Sequence, residues 1–268
     1  MRLLLAQLAP VKGDVAANLD RIERVVRAHR SDLAVFPELF LSGYRVGDAF
    51  PRLALGRGDD AWLRLAGIAR AAETAIVTGA PIRLDDRPGE IGNAAVLARA
   101  DGTVDHQVKR YLPTYGPFEE GSFFTPTDRS SVWPLGANRV GLEICYDAFF
   151  PEVTRQLALA GAELLVAISA APVTSRRLFE KVLPARAVEN AAWVVYVNRV
   201  GVEDGVVFGG GSGAWDPRGE PVPIEAVPFD AREPEESVTT ASLDLGEVAR
   251  WRRFRPTLRD VASRPPAG

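Results

Sequence analysis

The sequence predicts an α/β domain with a mixed β-sheet, and three observations carry this prediction. Short apolar runs alternate with amphipathic stretches through most of the 268 residues, which is typical of strands alternating with helices. Turn residues such as Asp101-Gly102 separate consecutive apolar runs at hairpin spacing, so some strands should pair antiparallel. Hydrophobic residues make up 47% of the chain, which supports a sizeable core and argues against disorder.

The first half of the chain contributes strands and two amphipathic helices. Asp14 can cap the first helix, and Asp60–Glu73 forms the second. The apolar positions of the first helix recur at helical spacing and are Val15, Leu19, Ile22, Val25 and Val26. The predicted strands are Arg2–Leu8, Asp32–Phe36, Ala75–Ile82, Asn93–Arg99 and Val104–Lys109.

The second half repeats this alternation. Its predicted helices are Pro151–Ala160 and Arg176–Asn190, and the latter is expected to kink or restart at Pro184. Its predicted strands are Arg139–Cys145, Leu164–Ser169, Trp193–Asn198, Val206–Asp216 and Val238–Leu243. The three glycines at 209–211 precede no helix, so a phosphate loop is not expected. We expect a loop at Pro228–Glu236, a frayed tail at Arg264–Gly268, and a single domain over residues 1–268.

Composition narrows the function classes. A net charge of −3 lacks the basic footprint of a nucleic-acid binder. No apolar run is long enough for a signal peptide core or a membrane span, so a soluble cytoplasmic protein without membrane or nucleic-acid partners is expected. One cysteine excludes an internal disulfide, and His29 and His106 leave little for a metal site.

Three reactive side chains lie where predicted strands end, so that a rigid sheet can fix them and loops can open around them. Glu38 comes directly after an apolar run that ends at Phe36-Pro37. Lys109, one of only three lysines among 32 basic residues, leaves an extended stretch and begins a loop with two prolines. Cys145 closes an apolar strand just before a helix that begins at Pro151.

Together these residues make a complete set for amide hydrolysis. A thiol nucleophile needs a base, and with no well-placed histidine a carboxylate must take the proton. The oxyanion of an acyl-transfer intermediate needs a positive group, and the compact charge of Lys109 can supply it. Alone, each residue has an ordinary explanation, namely a solvated glutamate, a decorated surface loop and a small buried thiol.

Three segments resemble the motifs of the nitrilase (carbon–nitrogen hydrolase) superfamily. They are FPELFLSGY at 36–44, VKRYLPTYGPFEEGSFF at 108–124 and GLEICYDAFFPE at 141–152, and the resemblance runs over residues 1–245. It implies a four-layer αββα sandwich that assembles into homodimers or larger homo-oligomers. It also implies that Cys145 is the nucleophile, Glu38 the general base and Lys109 the oxyanion stabiliser. A second glutamate would be Glu120, with Glu119 as the alternative, and the backbone N–H of Tyr146 would complete the oxyanion hole.

Within the superfamily, KRYLPTYGPFEEGSFF and the segment at 194–220 are similar to the glutaminase domain of glutamine-dependent NAD synthetases. That likeness implies substrate-binding roles for Tyr115 and Arg177. Ala171 stands where the family has a serine, Tyr146 replaces an acidic residue after the cysteine, and the sequence contains no synthetase domain or phosphate-binding signature.

The expected function is hydrolysis of a small amide or a glutamine-like ω-amide through a thioester, without metal or organic cofactor. The alternatives are a carbamoyl-amino-acid hydrolase, for which Arg176 and Arg177 could bind a carboxylate, and a true nitrilase. Two further alternatives belong to a different functional class. The protein could be a glutaminase subunit that acts beside a partner synthetase, or an inactive regulatory homologue.

Overall fold

The apolar runs of the sequence form strands in a computed structural model that describes residues 1–229 and 235–263. The strands up to the middle of the chain are β1 (Arg2–Gln7), β2 (Leu33–Val35), β3 (Ala75–Arg83), β4 (Ile91–Ala98), β5 (Val104–Val108), β6 (Val132–Leu135) and β7 (Asn138–Ile144). The later strands are β8 (Leu164–Ser169), β9 (Trp193–Asn198), β10 (Val202–Glu203), β11 (Val206–Val207), β12 (Gly213–Trp215), β13 (Glu225–Val227) and β14 (Ser237–Ser242).

These strands lie in two mixed sheets and a small hairpin. The first sheet has the order β13-β14-β1-β2-β3-β4-β5, and the second has the order β12-β9-β8-β7-β6. Strands β1, β2 and β3 run parallel, as do β7, β8 and β9, whereas β3-β4-β5 is an antiparallel meander. The predicted mixture of parallel and antiparallel pairs is therefore confirmed.

Side-chain alternation along β1 shows how the layers are built. Leu3 and Leu5 belong to the cluster between the two sheets, whereas Leu4 and Ala6 belong to the cluster under the helices of the first sheet. Because successive side chains of a strand point to opposite faces, a strand that is apolar on both faces must be covered on both. The outcome is helices, first sheet, second sheet, helices, which is the predicted αββα sandwich.

The covering helices begin and end close to their predicted positions. Helices α1 (Val15–Ala28) and α3 (Asp60–Ala72) cover the first sheet, and α4 (Pro151–Leu159) and α5 (Arg176–Asn190) cover the second. The side chain of Asp14 accepts a hydrogen bond of 2.9 Å from the N–H of Ala17, as an N-cap should. The prediction at Pro184 was a kink or a restart; helix α5 continues through Pro184, so a restart is wrong.

The prediction of one strand at Val206–Asp216 is wrong. The segment contains β11 and β12, which lie in different sheets. Between them Gly210 and Gly211 have φ values of 54° and 80°, and this left-handed backbone ends the strand. Strands β6, β10 and β13 and the helices α2 (Phe50–Leu53), α6 (Glu247–Phe254) and α7 (Thr257–Ala262) were not predicted.

Two further predictions concern parts of the chain that are only partly described. The loop predicted at Pro228–Glu236 is described at its two ends, and Arg264–Gly268 lies outside the described residues. Within the described ranges, no helix combines the length and apolar character needed to cross a membrane.

Candidate active site

Glu38 is fixed by a turn that rests on the neighbouring strand β3. The N–H of Gly79 donates to the carbonyl of Pro37 over 3.0 Å, and the N–H of Leu41 donates back to the carbonyl of Gly79 over 3.0 Å. A Cβ atom at Gly79 would lie 2.6 Å from the Cα of Glu38. Only glycine lets the backbone approach this closely, so Gly79 determines where the carboxylate of Glu38 lies.

Lys109 follows β5 and is completely buried. Its Nζ lies 2.7 Å from Oε1 of Glu38 and 2.7 Å from Oε1 of Glu120. Burial alone would lower the pKa of Lys109, but the Glu120 and Glu38 carboxylates raise it above its ordinary value. The two neighbouring carboxyl groups therefore favour the charged form of Lys109.

The structure separates the two adjacent glutamates of the lysine loop. Glu120 is buried, and its Oε1 also accepts a hydrogen bond of 2.5 Å from the hydroxyl of Tyr44. Glu119 is exposed and lies 3.7 Å from the guanidinium of Arg45. Burial raises the pKa of Glu120 to about 7; Lys109 opposes this shift and Glu38 adds to it.

Glu38 has two further partners that sequence reasoning missed. The amide of Asn93 donates to its Oε1 over 2.7 Å, and the backbone N–H of Ala170 donates to its Oε2 over 2.7 Å. Asn93 is the lone polar side chain in the apolar strand IGNAAVLA, a pattern that could have revealed it. The backbone donor at Ala170 leaves no such trace in the sequence, because any residue other than proline supplies an N–H.

Cys145 lies where β7 ends and a short 3₁₀ helix, Cys145–Phe149, begins. Its φ of 49° is left-handed, a strained conformation for a residue with a side chain. Burial and the negative charge of Glu38 raise the pKa of the Cys145 thiol above its ordinary value, while Lys109 lowers it. Burial and Glu38 therefore favour the neutral thiol over the thiolate.

A buried carboxylate ties the cysteine turn to the lysine loop. The side chain of Asp147 accepts the N–H of Tyr111 at 2.9 Å, that of Arg110 at 3.1 Å and that of Ile144 at 3.3 Å. Tyr111 and Arg110 come directly after Lys109, and Ile144 comes directly before Cys145. Asp147 thus holds together two segments that are distant in sequence.

The residues expected to bind substrate lie farther out. Tyr115 is 54% exposed, and its ring centroid lies 5.5 Å from that of the half-buried Tyr146. Arg177 is exposed in the first turn of α5 and makes no hydrogen bond or ion pair within the described residues. Arg176 is paired with Glu180 at 3.2 Å. Burial raises the pKa of Tyr196, and the positive charge of Arg176 opposes that shift.

The described part of the chain contains no group of three or more histidine, cysteine or acidic side chains that could hold a metal ion. A cavity of about 250 Å³ lies beside Glu120, which lines it together with Tyr44, whereas Glu38, Lys109 and Cys145 do not line it. Most of its remaining wall comes from residues 45–50 and 119–124.

The chain matches the carbon-nitrogen hydrolase family over residues 2–253, so it belongs to that family. It is 34% identical to an (R)-stereoselective amidase from a Pseudomonas species, over 97% of this chain and 91% of that protein. It is also 33% identical to the glutamine-dependent NAD(+) synthetase of Aquifex aeolicus, over 94% of this chain. The chain spans only 44% of the length of that synthetase.

A solved structure supports the same placement. The NitN amidase from Nesterenkonia sp. AN1 has a TM-score of 0.79 and 31% identity, with 97% of this chain and 100% of that chain covered. The predicted family and the αββα fold are thereby confirmed. The protein is a hydrolase that acts on carbon–nitrogen bonds.

Proposed function

We propose that the protein hydrolyses a small amide through a thioester formed on Cys145, with Glu38 as general base and Lys109 as oxyanion stabiliser. The observation that carries the proposal is the buried position of Lys109 between two carboxyl groups. Two of its three ammonium protons are directed to Glu38 and Glu120. Within the described residues the third proton has no acceptor, so it can be donated to the oxyanion of a substrate.

The first half-reaction moves one proton and exchanges one bond. Glu38 takes the thiol proton of Cys145, the sulfur bonds to the amide carbonyl carbon, and the carbonyl oxygen becomes an oxyanion. Lys109 and the N–H of Tyr146 stabilise this oxyanion. The C–N bond then breaks, and the leaving nitrogen takes the proton from Glu38 and departs as ammonia or an amine.

The second half-reaction uses the same carboxylate. Glu38 takes a proton from water, the resulting hydroxide attacks the thioester, and the C–S bond breaks. The thiolate of Cys145 recovers its proton from Glu38, and the carboxylic acid leaves. Oε1 of Glu38 accepts from Lys109 and Asn93, so Oε2, which accepts only the N–H of Ala170 within the described residues, is the oxygen with capacity for the transferred proton.

Known structures of the similar amidase support a reactive cysteine in a site that binds small amides. In variants of the Nesterenkonia amidase, acrylamide has added to the active-site cysteine, and butyramide is bound in another complex. We infer that Cys145, the only cysteine of this chain, has the same role. Glu120 is the second glutamate of the site, because it rather than Glu119 contacts Lys109.

The proposed substrate is a small aliphatic amide or a glutamine-like ω-amide. Tyr115 would pack on the methylenes and hydrogen-bond the polar part, and Arg177 would pair with a distal carboxylate. Two cations in the first turn of a helix oppose its dipole, so Arg176 and Arg177 are placed where an anion would be stabilising. Ala171 lacks the hydroxyl that glutamine would use, so ω-amides without an α-amino group should compete well.

A glutaminase subunit is the second candidate, because the chain is similar to part of the NAD synthetases. In that case the enzyme would release ammonia for a partner synthetase. We expect a cytoplasmic homo-oligomer under either reading. Glutamine as the best substrate, with turnover raised by a synthetase, would favour the subunit reading.

The test is ammonia release from a panel of amides, glutamine, carbamoyl compounds and nitriles, with Cys145→Ala alongside the natural protein. Turnover of at least one amide and loss of that turnover in the variant are expected. Iodoacetamide should inactivate the natural protein with one equivalent. Substantial turnover by Cys145→Ala would refute the mechanism, and turnover of nitriles alone would refute the substrate class.

A further inference from the structure

We propose that Asn93 is a positioning residue that holds the two carboxyl groups of the site in register. Asn93 lies in β4, the middle strand of the β3-β4-β5 meander. Its neighbour β3 supports the turn that carries Glu38, and its other neighbour β5 leads into Lys109. The backbone carbonyl of Asn93 accepts the N–H of Lys109 over 2.8 Å. The residue therefore contacts the lysine through its backbone and the carboxyl groups through its side chain.

The side-chain amide spans Glu38 and Glu120. Its Nδ2 lies 2.7 Å from Oε1 of Glu38 and 3.4 Å from Oε2 of Glu120. All three side chains are buried. A carboxylate accepts hydrogen bonds and cannot donate them, so the NH₂ group of Asn93 must face this pair.

An amide fits this position for an electrostatic reason. Two carboxylates that share a buried site repel each other, and Lys109 supplies only one compensating charge. The NH₂ group offers two protons without adding a net charge. A third carboxylate would add repulsion. An apolar side chain would leave Lys109 as the single donor to Oε1 of Glu38, and Oε2 of Glu120 without a donor among the described residues.

The other end of the amide shows what fixes its orientation. The Oδ1 of Asn93 is buried and has no partner within the described residues. An asparagine retained for its carbonyl would direct that atom to a donor. The orientation of Asn93 is therefore set by the carboxyl groups of Glu38 and Glu120.

The inference rests on the proposed role of Glu38, so the experiment includes a measurement that needs no substrate. The variants are Asn93→Asp and Asn93→Leu. The matched control is Asn190→Asp, since Asn190 is also fully buried, with its Nδ2 donating to the carbonyl of Arg186 and its Oδ1 unpartnered within the described residues. For each protein the unfolding midpoint, the pH profile of iodoacetamide alkylation of Cys145, and kcat and KM are measured.

Loss of the amide should misplace the base and lower kcat about ten- to hundredfold, with KM changed less than threefold. In Asn93→Asp the introduced carboxyl can donate only when it is protonated, so activity should recover toward acid pH and the optimum should move down. The alkylation profile should move to higher pH in both Asn93 variants and stay in place in Asn190→Asp. If Asn93→Leu does not fold, the acid recovery of Asn93→Asp decides the question.

Two results would overturn the inference. One is Asn93→Leu with kcat within threefold of the natural protein and an unchanged alkylation profile. The other is Asn93→Asp and Asn190→Asp behaving alike at every pH, which would indicate only the burial of an extra carboxyl group. A third outcome separates the two proposals. If the natural protein turns over no amide, the proposed function is refuted. If the alkylation profile nevertheless moves in the Asn93 variants, the positioning role of Asn93 still stands.

Discussion

The buried centre and the outer rim of the site are held in different ways. Glu38, Lys109 and Glu120 are at most 3% exposed and are joined by hydrogen bonds of 2.7 Å. Tyr115 is 54% exposed, and Arg177 makes no hydrogen bond or ion pair within the described residues. Glu38 and Lys109 follow strands β2 and β5 of the first sheet, and Glu120 is bonded to Lys109, whereas Tyr115 belongs to an exposed loop and Arg177 to a helix terminus.

This difference indicates that the buried centre suits the chemical step and that the exposed rim suits the selection of substrates. Groups that must transfer a proton or stabilise an oxyanion need fixed distances, which buried and mutually bonded side chains provide. Side chains that select the far end of a substrate need access to solvent and can change without disturbing the centre. Substitutions in the centre should therefore lower kcat, and substitutions in the rim should change preference among substrates.

The largest effect is expected for Lys109→Arg. The wide guanidinium cannot occupy the place of a compact ammonium between two carboxyl groups, so kcat/KM should fall about 10²–10³-fold, nearly as far as in Lys109→Ala. Steady-state kinetics of ammonia release measure this. The control is Lys181→Arg, on an exposed part of α5, which should change nothing. Activity within tenfold of normal would show that Lys109 supplies only generic charge.

The next effect concerns the support under Glu38. Gly79→Ala places a methyl group against the backbone of Glu38 and Leu39, so it should lower the free energy of unfolding by about 1–3 kcal/mol and displace the base. Urea unfolding and kcat measure both consequences. Gly67→Ala is the control, because its Cβ meets no atom within 4 Å in α3 and should stabilise the protein by about 0.5–1 kcal/mol. Equal effects of both substitutions would contradict the argument.

A smaller effect is expected at the rim. Arg177→Ala should raise KM for an ω-amide that carries a carboxylate by about tenfold, because one charged hydrogen bond is lost. A neutral aliphatic amide should be unaffected. Arg176→Ala is the matched variant, and it tells which arginine meets the substrate. If the neutral amide is the best substrate and neither variant alters the preference, carboxylate recognition is wrong.

The last effect is on stability and lies outside the site. Burial raises the pKa of Glu143 to about 7, opposed by the hydroxyl of Thr154. The pKa of Glu143 in the unfolded chain is about 4.5. Between this pH and pH 7 the folded protein keeps a proton that the unfolded chain has lost. The free energy of unfolding therefore falls as the pH rises, by up to about 1.4 kcal/mol per pH unit. Glu143→Gln removes this slope and should gain stability relative to the natural protein from pH 5 to 8.

Chemical unfolding of the natural protein and of Glu143→Gln at pH 5 and at pH 8 checks this expectation. Glu152→Gln serves as the control, because Glu152 lies exposed at the start of α4. A difference between Glu143→Gln and the natural protein that is the same at pH 5 and pH 8 would mean that Glu143 does not titrate in this range.

Much of the fold followed from hydrophobic periodicity alone. Strands β8 and β9 have the predicted bounds, and α1 starts directly after its predicted cap, because their apolar patterns agree with local capping and turn chemistry. The segment at 206–216 was predicted wrongly because apolar residues on both sides of glycines give the pattern of one strand. The backbone there turns at Gly210 and Gly211.

The sequence by itself determined which residues could be reactive. Glu38, Lys109 and Cys145 each lie where a predicted strand ends, and that position is visible in the chain. The tertiary structure decided which atoms meet: Glu120 rather than Glu119 contacts Lys109, Asn93 contacts both carboxyl groups, and Ala170 donates its N–H to Glu38. The physical reason is that hydrogen bonds and burial depend on distances between segments remote in sequence, and local periodicity carries no information about those distances.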